Sequence, residues 1–343
     1  MQSKGQDTVL CPATYVLPPG GFENVVTRDV ETPEPGAGEV TIEVRANSVN
    51  HHDLLVATGA IATSGPRILL SDAAGEVVAV GEGESPFRLG DRVMTTYLPH
   101  WQDGRPTVDG FGNSPGDGVD GYARTLVTLP AHTLTDIPRT YSYAEAATLP
   151  TAGLSAWRAL FSSSPLKPGE SVLVPGTSTV ALFAIQIAKA AGAYVVGTSS
   201  SPEKIARLLD LGVDVALNYR ENSRWGQEAF GTSGRGIDHV LDFGGPSTLD
   251  QSLAAVKVGG RIAALGILAG ASAALDITPL LTKQVTIEGL LVGSRTHQCE
   301  MVAGLDTLAV KPVIDSTYRM DQLVEALRSQ QSGQRFGKVV VAA

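Results

Sequence analysis

After about residue 145, short and almost entirely apolar segments alternate with helical segments, and this feature restricts the fold more than any other. The predicted strands are SVLVPG, AYVVGTS, HVLDFGG, GGRIAALGI and VTIEGLLVG. The predicted helices between the first of them are TVALFAIQIAKAAG and SPEKIARLLDLG. A strand that is apolar at nearly every position must be covered on both faces. The alternation therefore predicts a doubly wound parallel sheet in an α/β domain.

Before that point the pattern is β-rich. Residues 1–140 contain runs rich in Val, Ile and Thr, bounded by Gly, Pro and Asp, such as TIEVRANSVN, AGEVVAVGEG and DRVMTTYL. The glycine-rich segment 101–122 predicts a surface lobe, and AEAATLPTAGLSAWRALF predicts a helix. The tail adds a helical stretch near 298–309, the amphipathic MDQLVEALRSQ and a last strand, KVVVAA. We expect a β-rich domain followed by the doubly wound domain.

Charge and cysteine content narrow the class of protein. The chain has 343 residues, enough for about two domains. With 35 acidic and 26 basic residues its net charge is −9, which disfavours nucleic acid and anionic membranes as partners. Two cysteines, Cys11 and Cys299, form neither a disulfide framework nor a cysteine metal cluster. No secretory leader or membrane-spanning run is visible, so we expect a cytoplasmic enzyme.

A dinucleotide-binding turn is predicted between SVLVPG and the helix that follows it. The turn reads Gly176-Thr177-Ser178-Thr179-Val180-Ala181. Such turns need glycine at the bend and small residues at the second and third motif positions, which here are Gly, Ser and Ala. The free amides of the helix N-terminus can then hold a pyrophosphate. The alternative is an ordinary strand-to-helix turn.

The next strand end predicts a preference for NADPH over NADH. An NAD-specific site usually places Asp or Glu about 20 residues further on, against the adenosine ribose. Here the strand ends in hydroxyl residues, and a lysine and a tyrosine follow: Ser199, Ser200, Lys204 and Tyr219. An acid would repel a 2′-phosphate, whereas hydroxyl groups and a lysine would bind it.

With these residues placed, the chain resembles the medium-chain dehydrogenase/reductase superfamily, specifically its zinc-free branch of quinone-reductase and enoyl-reductase type. The resemblance covers nearly the whole chain. It is carried, in order, by ANSVNHHDLL, SDAAGEVVAVGEG with LGDRV, TLPTAGLSAWRAL, VLVPGTSTVALFAIQIAKAAGA, LGVDVALNY, GGRIAALG and FGKVVV. It implies a GroES-like catalytic domain, 1–140 completed by 293–343, and an inserted Rossmann domain, 141–292.

The same resemblance implies that no zinc is bound. The three catalytic zinc ligands of zinc-dependent relatives correspond here to Asn50, Ser71 and Ala152, which cannot supply the thiolate or imidazole ligands that zinc needs. The four structural-zinc cysteines are absent from 101–122. Asp72 stands where those relatives carry an acidic residue behind the metal, and we expect a loop carboxylate hydrogen-bonded to backbone.

The candidate catalytic residues follow one another in Asn50-His51-His52-Asp53. By resemblance, the amide of Asn50 could donate to a substrate carbonyl, His51 matches a position that touches the pyrophosphate, and His52 matches the start of a proton relay. An ordinary histidine titrates near pH 6.5, which suits a general acid. The alternative is that one histidine contacts the cofactor and the other only packs. Asp53 is expected to brace the loop.

Further cofactor contacts are implied by position in relatives, beside the ribose, near the nicotinamide carboxamide and in the tail. They are Phe243, Gly244, Leu265, Gly266, Ile267, Leu291, Val292, Gly293 and Arg335. For the strand ends the alternative is plain packing, and for the tail arginine it is a surface position.

The predicted activity is zinc-independent, NADPH-dependent hydride transfer to a small unsaturated carbonyl: an enone, an enoyl group or a quinone. The alternatives are a zinc-free alcohol dehydrogenase or ketone reductase, and an NADPH-binding protein without catalysis. The segment 285–293 is predicted to be the edge strand of the sheet, and an exposed apolar edge invites pairing with another chain. We therefore expect a homodimer through that edge.

Overall fold

The computed structural model describes residues 9–107, 112–272 and 274–342, and it divides the chain into two units. Unit 1 holds the described residues up to Leu154, together with Val292–Thr307 and those from Ile314 onward. Unit 2 holds Ser155–Leu291 and Leu308–Val313. This division assigns 141–154 to unit 1 and 308–313 to unit 2, which differs from the domains expected from the sequence.

The strands and helices of the described residues are numbered along the chain. The strands are β1 Val9–Val16, β2 Val25–Thr32, β3 Glu39–Val49, β4 Arg67–Ile68, β5 Asp72–Val80, β6 Arg92–Thr95, β7 Leu126–Pro130, β8 Leu134–Asp136, β9 Ser171–Pro175, β10 Tyr194–Ser199, β11 Val215–Asn218, β12 Ile237–Asp242, β13 Val256–Ala264, β14 Thr286–Gly289, β15 Ile314–Arg319 and β16 Lys338–Ala342. The α-helices are α1 His51–Ala57, α2 Tyr143–Ala146, α3 Leu154–Phe161, α4 Thr179–Ala190, α5 Pro202–Asp210, α6 Trp225–Thr232, α7 Pro246–Ala255, α8 Thr278–Thr282, α9 Arg295–Leu305 and α10 Leu323–Gln331. Short 3₁₀ turns lie at Phe22–Asn24, Ala131–Thr133 and Met320–Gln322.

Unit 1 is the GroES-like, β-rich part of the fold. One sheet has the order β2-β1-β4, and a larger one has the order β15-β16-β3-β5-β6-β8, with β7 also paired to β3. β3 is antiparallel to both of its principal neighbours, so Ser48 lies opposite Val340 of β16 and opposite Asp72 of β5. The end of β3 therefore lies between the last strand of the chain and the start of β5.

Unit 2 is the Rossmann-like part. Its six strands are parallel in the order β11-β10-β9-β12-β13-β14, which is the 3-2-1-4-5-6 order of a dinucleotide-binding fold. The strand order reverses between β9 and β12, and ligands of such sheets bind beyond the carboxyl ends of the strands at that point. The central apolar strands predicted from the sequence are buried, as in β9, where Val172, Leu173 and Val174 are 0% exposed. The edge strand β14 is not buried, and its residues are exposed or half-buried.

The helix expected over AEAATLPTAGLSAWRALF is interrupted. It consists of α2, a π-helical turn over Leu149–Gly153, and α3. Pro150 lies at the start of that turn and cannot donate a backbone hydrogen bond, which favours a widened turn over a regular helix. The interruption matters because Thr151, on the widened turn, donates a hydrogen bond to the buried carboxylate of Asp72.

The segment 101–122 is packed at both ends, contrary to the expected surface lobe. Trp101 is 2% exposed and Tyr122 is 6% exposed. Backbone hydrogen bonds join Gly121 to Ile68 and Tyr122 to Leu70. Residues 108–111 of this segment lie outside the described residues.

β14 lies at one edge of the unit 2 sheet. Exposed apolar side chains nearby in the sequence include Ile277, Leu281 and Leu291. The homodimer through this edge stays a prediction. No helix among the described residues is long and apolar enough to cross a membrane.

Two glycines of α6 are expected to respond oppositely to alanine. A Cβ on Gly226 would lie 2.0 Å from the carbonyl oxygen of Gln251 on α7, whereas one on Gly231 meets nothing within 4 Å. We expect Gly226→Ala to lower the free energy of unfolding by about 2 kcal/mol or more because the two helices must separate. Gly231→Ala should raise it by about 0.5–1 kcal/mol through helix propensity. Urea unfolding measures both, and equal effects would contradict this packing.

Candidate functional site

The turn after β9 has the geometry that a pyrophosphate-binding turn requires. Gly176 adopts a φ of 84°, a left-handed conformation that favours glycine. Ser178 is the N-cap of α4, and its Oγ accepts a hydrogen bond from the Ala181 amide at 3.2 Å. The first amides of an α-helix have no partner within the helix and form its positive end. This helix is twelve residues long, so its N-terminus can hold an anion.

A cavity of about 330 Å³ opens at this turn. The predicted residues that line it are Gly176, Thr177, Ser178, Tyr219, Phe243 and Gly244. Lining residues that the sequence analysis missed are Pro175, Thr198, Trp225, Thr248, Leu268 and Ala269. Thr198 could have been found from its place near the end of β10, whereas Trp225 at the start of α6 carried no sequence signal for a ligand.

Hydroxyl groups cluster where β10 ends. Ser199 is buried, and its carbonyl oxygen accepts a hydrogen bond from the Tyr219 amide at 3.1 Å. Ser201 caps α5 and accepts a hydrogen bond from the Lys204 amide at 3.4 Å. No carboxylate stands at the strand end itself, in 197–201. Ser200 and Lys204 are half-buried beside these groups.

The remaining predicted cofactor contacts are spread over both units. The Leu265 amide donates to the Asp242 carbonyl at 2.8 Å, and Gly266 passes so close to Phe243 that a Cβ would lie 2.8 Å from its carbonyl oxygen. Ile267 is 64% exposed. Thr179 and Val180 begin α4, and Leu291 ends the first of the two segments of unit 2. In unit 1 lie Val292, Gly293 and Arg335, whose Nε donates to Gln330 Oε1 at 2.7 Å.

Asp242 supports the wall of this cavity without lining it, and the sequence analysis missed it. It ends β12 and is 1% exposed. Its Oδ1 accepts from the amides of Gly244 and Gly245 at 3.0 and 2.9 Å and from Thr248 Oγ1 at 2.7 Å. One carboxylate oxygen thus sets the turn that carries Phe243 and Gly244. The signal available was a buried strand ending in Asp before two glycines.

In unit 1, Asp53 fixes the start of α1. It is 1% exposed, and its Oδ2 accepts from the Asn50 amide at 2.7 Å while its Oδ1 accepts from the Ser71 amide at 3.0 Å. Burial and the nearby charge of Asp72 raise the pKa of Asp53 to about 6. The bracing role expected for this residue is thus seen in its contacts.

Asn50 bridges two buried charges. Its Nδ2 donates to Asp72 Oδ2 at 2.9 Å and to Ser71 Oγ at 3.1 Å, and its Oδ1 accepts from the Lys338 ammonium. Asp72 is not the loop carboxylate bonded to backbone that the sequence suggested. It begins β5 and also accepts from Thr151 Oγ1 at 2.6 Å. Because both amide hydrogens of Asn50 have internal acceptors, the structure favours a bridging role over donation to a substrate.

His52 forms a pair with a carboxylate. Its Nε2 lies 3.0 Å from Asp117 Oδ2, and both side chains are about 15% exposed, at 14% and 15%. The ring also meets Tyr97 edge-on at 6.4 Å between centroids. The sequence analysis missed Asp117, which lies 65 residues away in the glycine-rich segment. Such a partner fixes the orientation of the ring.

His51 and Arg335 lie close enough to influence each other. Partial burial and the charge of Arg335 lower the pKa of His51. Both residues, which the sequence analysis predicted to contact the cofactor phosphates, lie in unit 1.

Three positions were matched by resemblance to the catalytic zinc ligands of zinc-dependent relatives, and their side chains carry few groups suited to zinc. Asn50, Ser71 and Ala152 offer one amide oxygen, one hydroxyl and a methyl group, and the amide oxygen already binds an ammonium. Zinc requires imidazole, thiolate or carboxylate ligands. Among the described residues, no group of three His, Cys, Asp or Glu side chains is arranged to hold a metal ion.

Comparison with known proteins finds relatives along almost the whole chain. An alcohol dehydrogenase GroES-like domain model matches 36–139, and a zinc-binding dehydrogenase model matches 179–308. A zinc-type alcohol dehydrogenase-like protein of Schizosaccharomyces pombe is 36% identical, covering 94% of this chain and 96% of its own. Human quinone oxidoreductase is 30% identical over 92% and 93%. An acryloyl-coenzyme A reductase of Metallosphaera sedula is 28% identical over 95% and 98%.

Solved structures are also similar to this chain over almost its whole length. A crystal structure from Sinorhizobium meliloti, provisionally assigned as an alcohol dehydrogenase, is 36% identical with a TM-score of 0.91, covering 98% of this chain and 99% of that one. An NAD-dependent alcohol dehydrogenase is 30% identical with a TM-score of 0.86, over 97% and 99%. A mycobacterial protein in complex with NADPH is 25% identical with a TM-score of 0.78, over 97% and 100%.

Removing the Asp242 carboxylate should weaken cofactor binding. In Asp242→Ala the half-buried amides of Gly244 and Gly245 lose this acceptor, whereas the Thr248 hydroxyl keeps the Gly245 carbonyl at 3.0 Å. A donor left without a partner costs about 1–3 kcal/mol. We expect the Kd for NADPH to rise at least about tenfold, whereas Asp242→Asn keeps the accepting oxygen and should change it less than about threefold. Quenching of Trp225 fluorescence measures both. Asp276→Ala, a fully exposed control, should match the wild type; a wild-type Kd in Asp242→Ala would contradict the bracing role.

Proposed function

The chain belongs to the medium-chain dehydrogenase/reductase superfamily, and we propose that it is a zinc-independent, NADPH-dependent reductase of α,β-unsaturated carbonyl compounds. The acceptor would be an enone, an enoyl thioester or a quinone. The observation that carries this proposal is the pairing of His52 with Asp117. The pair lies close in the chain to Asn50, which the resemblance matches to a zinc ligand of zinc-dependent relatives and which here belongs to a hydrogen-bonded cluster. It is an oxidoreductase by its relatives, which include quinone and acryloyl-coenzyme A reductases.

Several features of the unit 2 pocket support NADPH as the cofactor. Gly176 supplies the bend, the amides at the start of α4 can bind the pyrophosphate, and Asp242 braces the opposite turn. The hydroxyl groups of Ser199 and Ser200 with Lys204 would bind a 2′-phosphate, which a carboxylate at the strand end would repel. A structural neighbour in complex with NADPH supports the same choice.

Zinc independence is supported by the charge of the cluster. The ammonium of Lys338 binds Asn50 Oδ1 and lies 3.9 Å from Asp72 Oδ2. A divalent cation near the same amide would meet this positive charge and would lack three suitable ligands. We therefore derive no step of the reaction through a metal.

Conjugate reduction needs a hydride at the β-carbon and a proton at the α-carbon. The bound cofactor supplies the hydride. We assign the proton to the imidazolium form of His52, which pairs with Asp117. Transfer leaves the neutral imidazole, and a proton from solvent restores the cation. The carboxylate of Asp117 also holds the ring in one orientation, which a general acid requires.

Reduction of an isolated ketone is the second candidate, because relatives include proteins named as alcohol dehydrogenases. Without a metal, however, no strong Lewis acid polarises an unconjugated carbonyl. A conjugated acceptor delocalises the developing charge, so it makes the smaller demand on this site.

Assays with paired conjugated and saturated carbonyl acceptors distinguish conjugate reduction from ketone reduction. We expect the purified protein to oxidise NADPH, in preference to NADH, with enones, enoyl thioesters or quinones, and not with the matching saturated ketones. Loss of NADPH absorbance measures the rates, with and without a chelator. Turnover of saturated ketones alone would contradict conjugate reduction, chelator-sensitive turnover would contradict zinc independence, and tight NADPH binding without turnover of any acceptor would indicate a binding protein.

The proton donor is tested by three variants. His52→Ala should lower kcat by about a hundredfold or more, the usual contribution of a general acid. Asp117→Asn keeps the hydrogen bond but not the charge, so we expect a smaller loss, about tenfold. His132→Ala, an exposed control in another part of unit 1, should leave kcat unchanged. A wild-type kcat in His52→Ala would exclude this residue as the donor.

A further inference from the structure

Lys338 carries a buried ammonium group that the proposed reaction does not use. Its side chain is 1% exposed. The Nζ donates to the Val49 carbonyl at 3.1 Å and to Asn50 Oδ1, and it lies 3.9 Å from Asp72 Oδ2. Burying a charged group costs several kcal/mol unless its partners replace the hydrogen bonds to water that it loses. A lysine kept in this position despite that cost is therefore a candidate for a role in the site.

The sheet register brings these groups together. β16 pairs with the end of β3 on one side, with Val339 opposite Val49, and β5 pairs with it on the other, with Asp72 opposite Ser48. Asn50 follows directly after β3 and is the N-cap of α1. It therefore lies between a cation on one neighbouring strand and a carboxylate on the other.

The charges leave only one orientation for the Asn50 amide. Its oxygen faces the ammonium and its nitrogen faces the carboxylate. A flip would place NH₂ against NH₃⁺ and a carbonyl oxygen against a carboxylate, which repel each other. Without Lys338, this orientation would lose its donor, and Asp72 would lose the nearest cation.

We propose that Lys338 is a positioning residue: by fixing the Asn50 amide against Asp72, it holds the first turn of α1, and with it His52, in place. The same cluster includes Ser71 at the β4–β5 corner and Thr151 on the π-helical turn. These segments carry the three positions to which zinc is bound in zinc-dependent relatives. In this chain, hydrogen bonds that converge near one ammonium join the segments instead. The consequence for catalysis rests on the proposed function, whereas the local order of α1 does not.

Hydrogen exchange of the protein without cofactor or substrate tests the local part. In Lys338→Met, we expect amide exchange in peptides covering 48–57 to accelerate at least about tenfold while unit 2 peptides stay within about twofold. Lys338→Arg keeps a cation and should restore at least half of the lost protection on a logarithmic scale. Lys283→Met is the matched control: that lysine caps the end of α7 through three carbonyl oxygens in unit 2, far along the chain from the cluster. It should lower Tm without changing exchange in 48–57.

Kinetics test the catalytic part. Lys338→Met should lower kcat at least about tenfold with the Kd for NADPH within about twofold, because a misplaced donor slows chemistry without touching the unit 2 pocket. Lys338→Arg should recover part of kcat, and Lys283→Met should keep it. If Lys338→Met does not fold, the double variant Asp72→Asn/Lys338→Met replaces it, since it removes both members of the Asp72–Lys338 pair and so leaves neither charge without the other; it should show the same local exchange and the same loss of kcat.

The outcomes separate this inference from the proposed function. Wild-type exchange in 48–57 in the folded Lys338→Met or double variant would overturn the inference, whatever the activity. Faster exchange with an unchanged kcat would overturn the catalytic consequence. A wild type that reduces no acceptor, with accelerated local exchange in Lys338→Met and protection regained in Lys338→Arg, would refute the proposed function and leave the positioning role supported.

Discussion

The desolvation of charge in unit 1 is the constraint on which the candidate site depends. Two carboxylates, Asp53 and Asp72, and one ammonium, Lys338, lie at 0–1% exposure within the same cluster. Burial raises the pKa of both carboxyl groups and lowers that of Lys338 to about 8. Such groups are tolerated only when every partner is in place, so the surrounding backbone has little freedom. The buried cluster therefore restricts the position of the histidines on α1, although none of its three charged side chains has a proposed contact with a substrate.

Unit 2 forms its candidate site from strand ends and helix ends rather than from buried charges. Its parallel strands end at one edge, and the reversal of strand order between β9 and β12 leaves an opening there. Gly176 and Asp242 shape the two sides of that opening, the first through its backbone conformation and the second through hydrogen bonds to the turn that follows it. One unit therefore positions side chains by buried charge, and the other positions backbone amides by strand and helix ends.

The sequence predicted the parallel sheet well, because a buried strand such as β9 is apolar at nearly every position and the pattern is local. It predicted half of the lining of the cofactor pocket from strand ends. It missed Asp117, because the pairing with His52 spans 65 residues and leaves no periodic trace. The bond between Asn50 and Lys338 spans 288 residues and was equally invisible. It also missed the π-helical turn, where Pro150 overrides helix propensity.

The place of β16 in the sheet has a consequence for how the protein is made. Synthesis proceeds from the N-terminus, so β3, β5 and α1 leave the ribosome long before Lys338 does. Through that interval Asp72 and Asn50 have no ammonium to bind, and the sheet lacks the strand beside β3. All of unit 2 is synthesised meanwhile and contains every strand of its own sheet. The nascent chain therefore contains every strand of the unit 2 sheet before Lys338 is made, and the contacts that fix Asn50 at the start of α1 form only when the final strand docks.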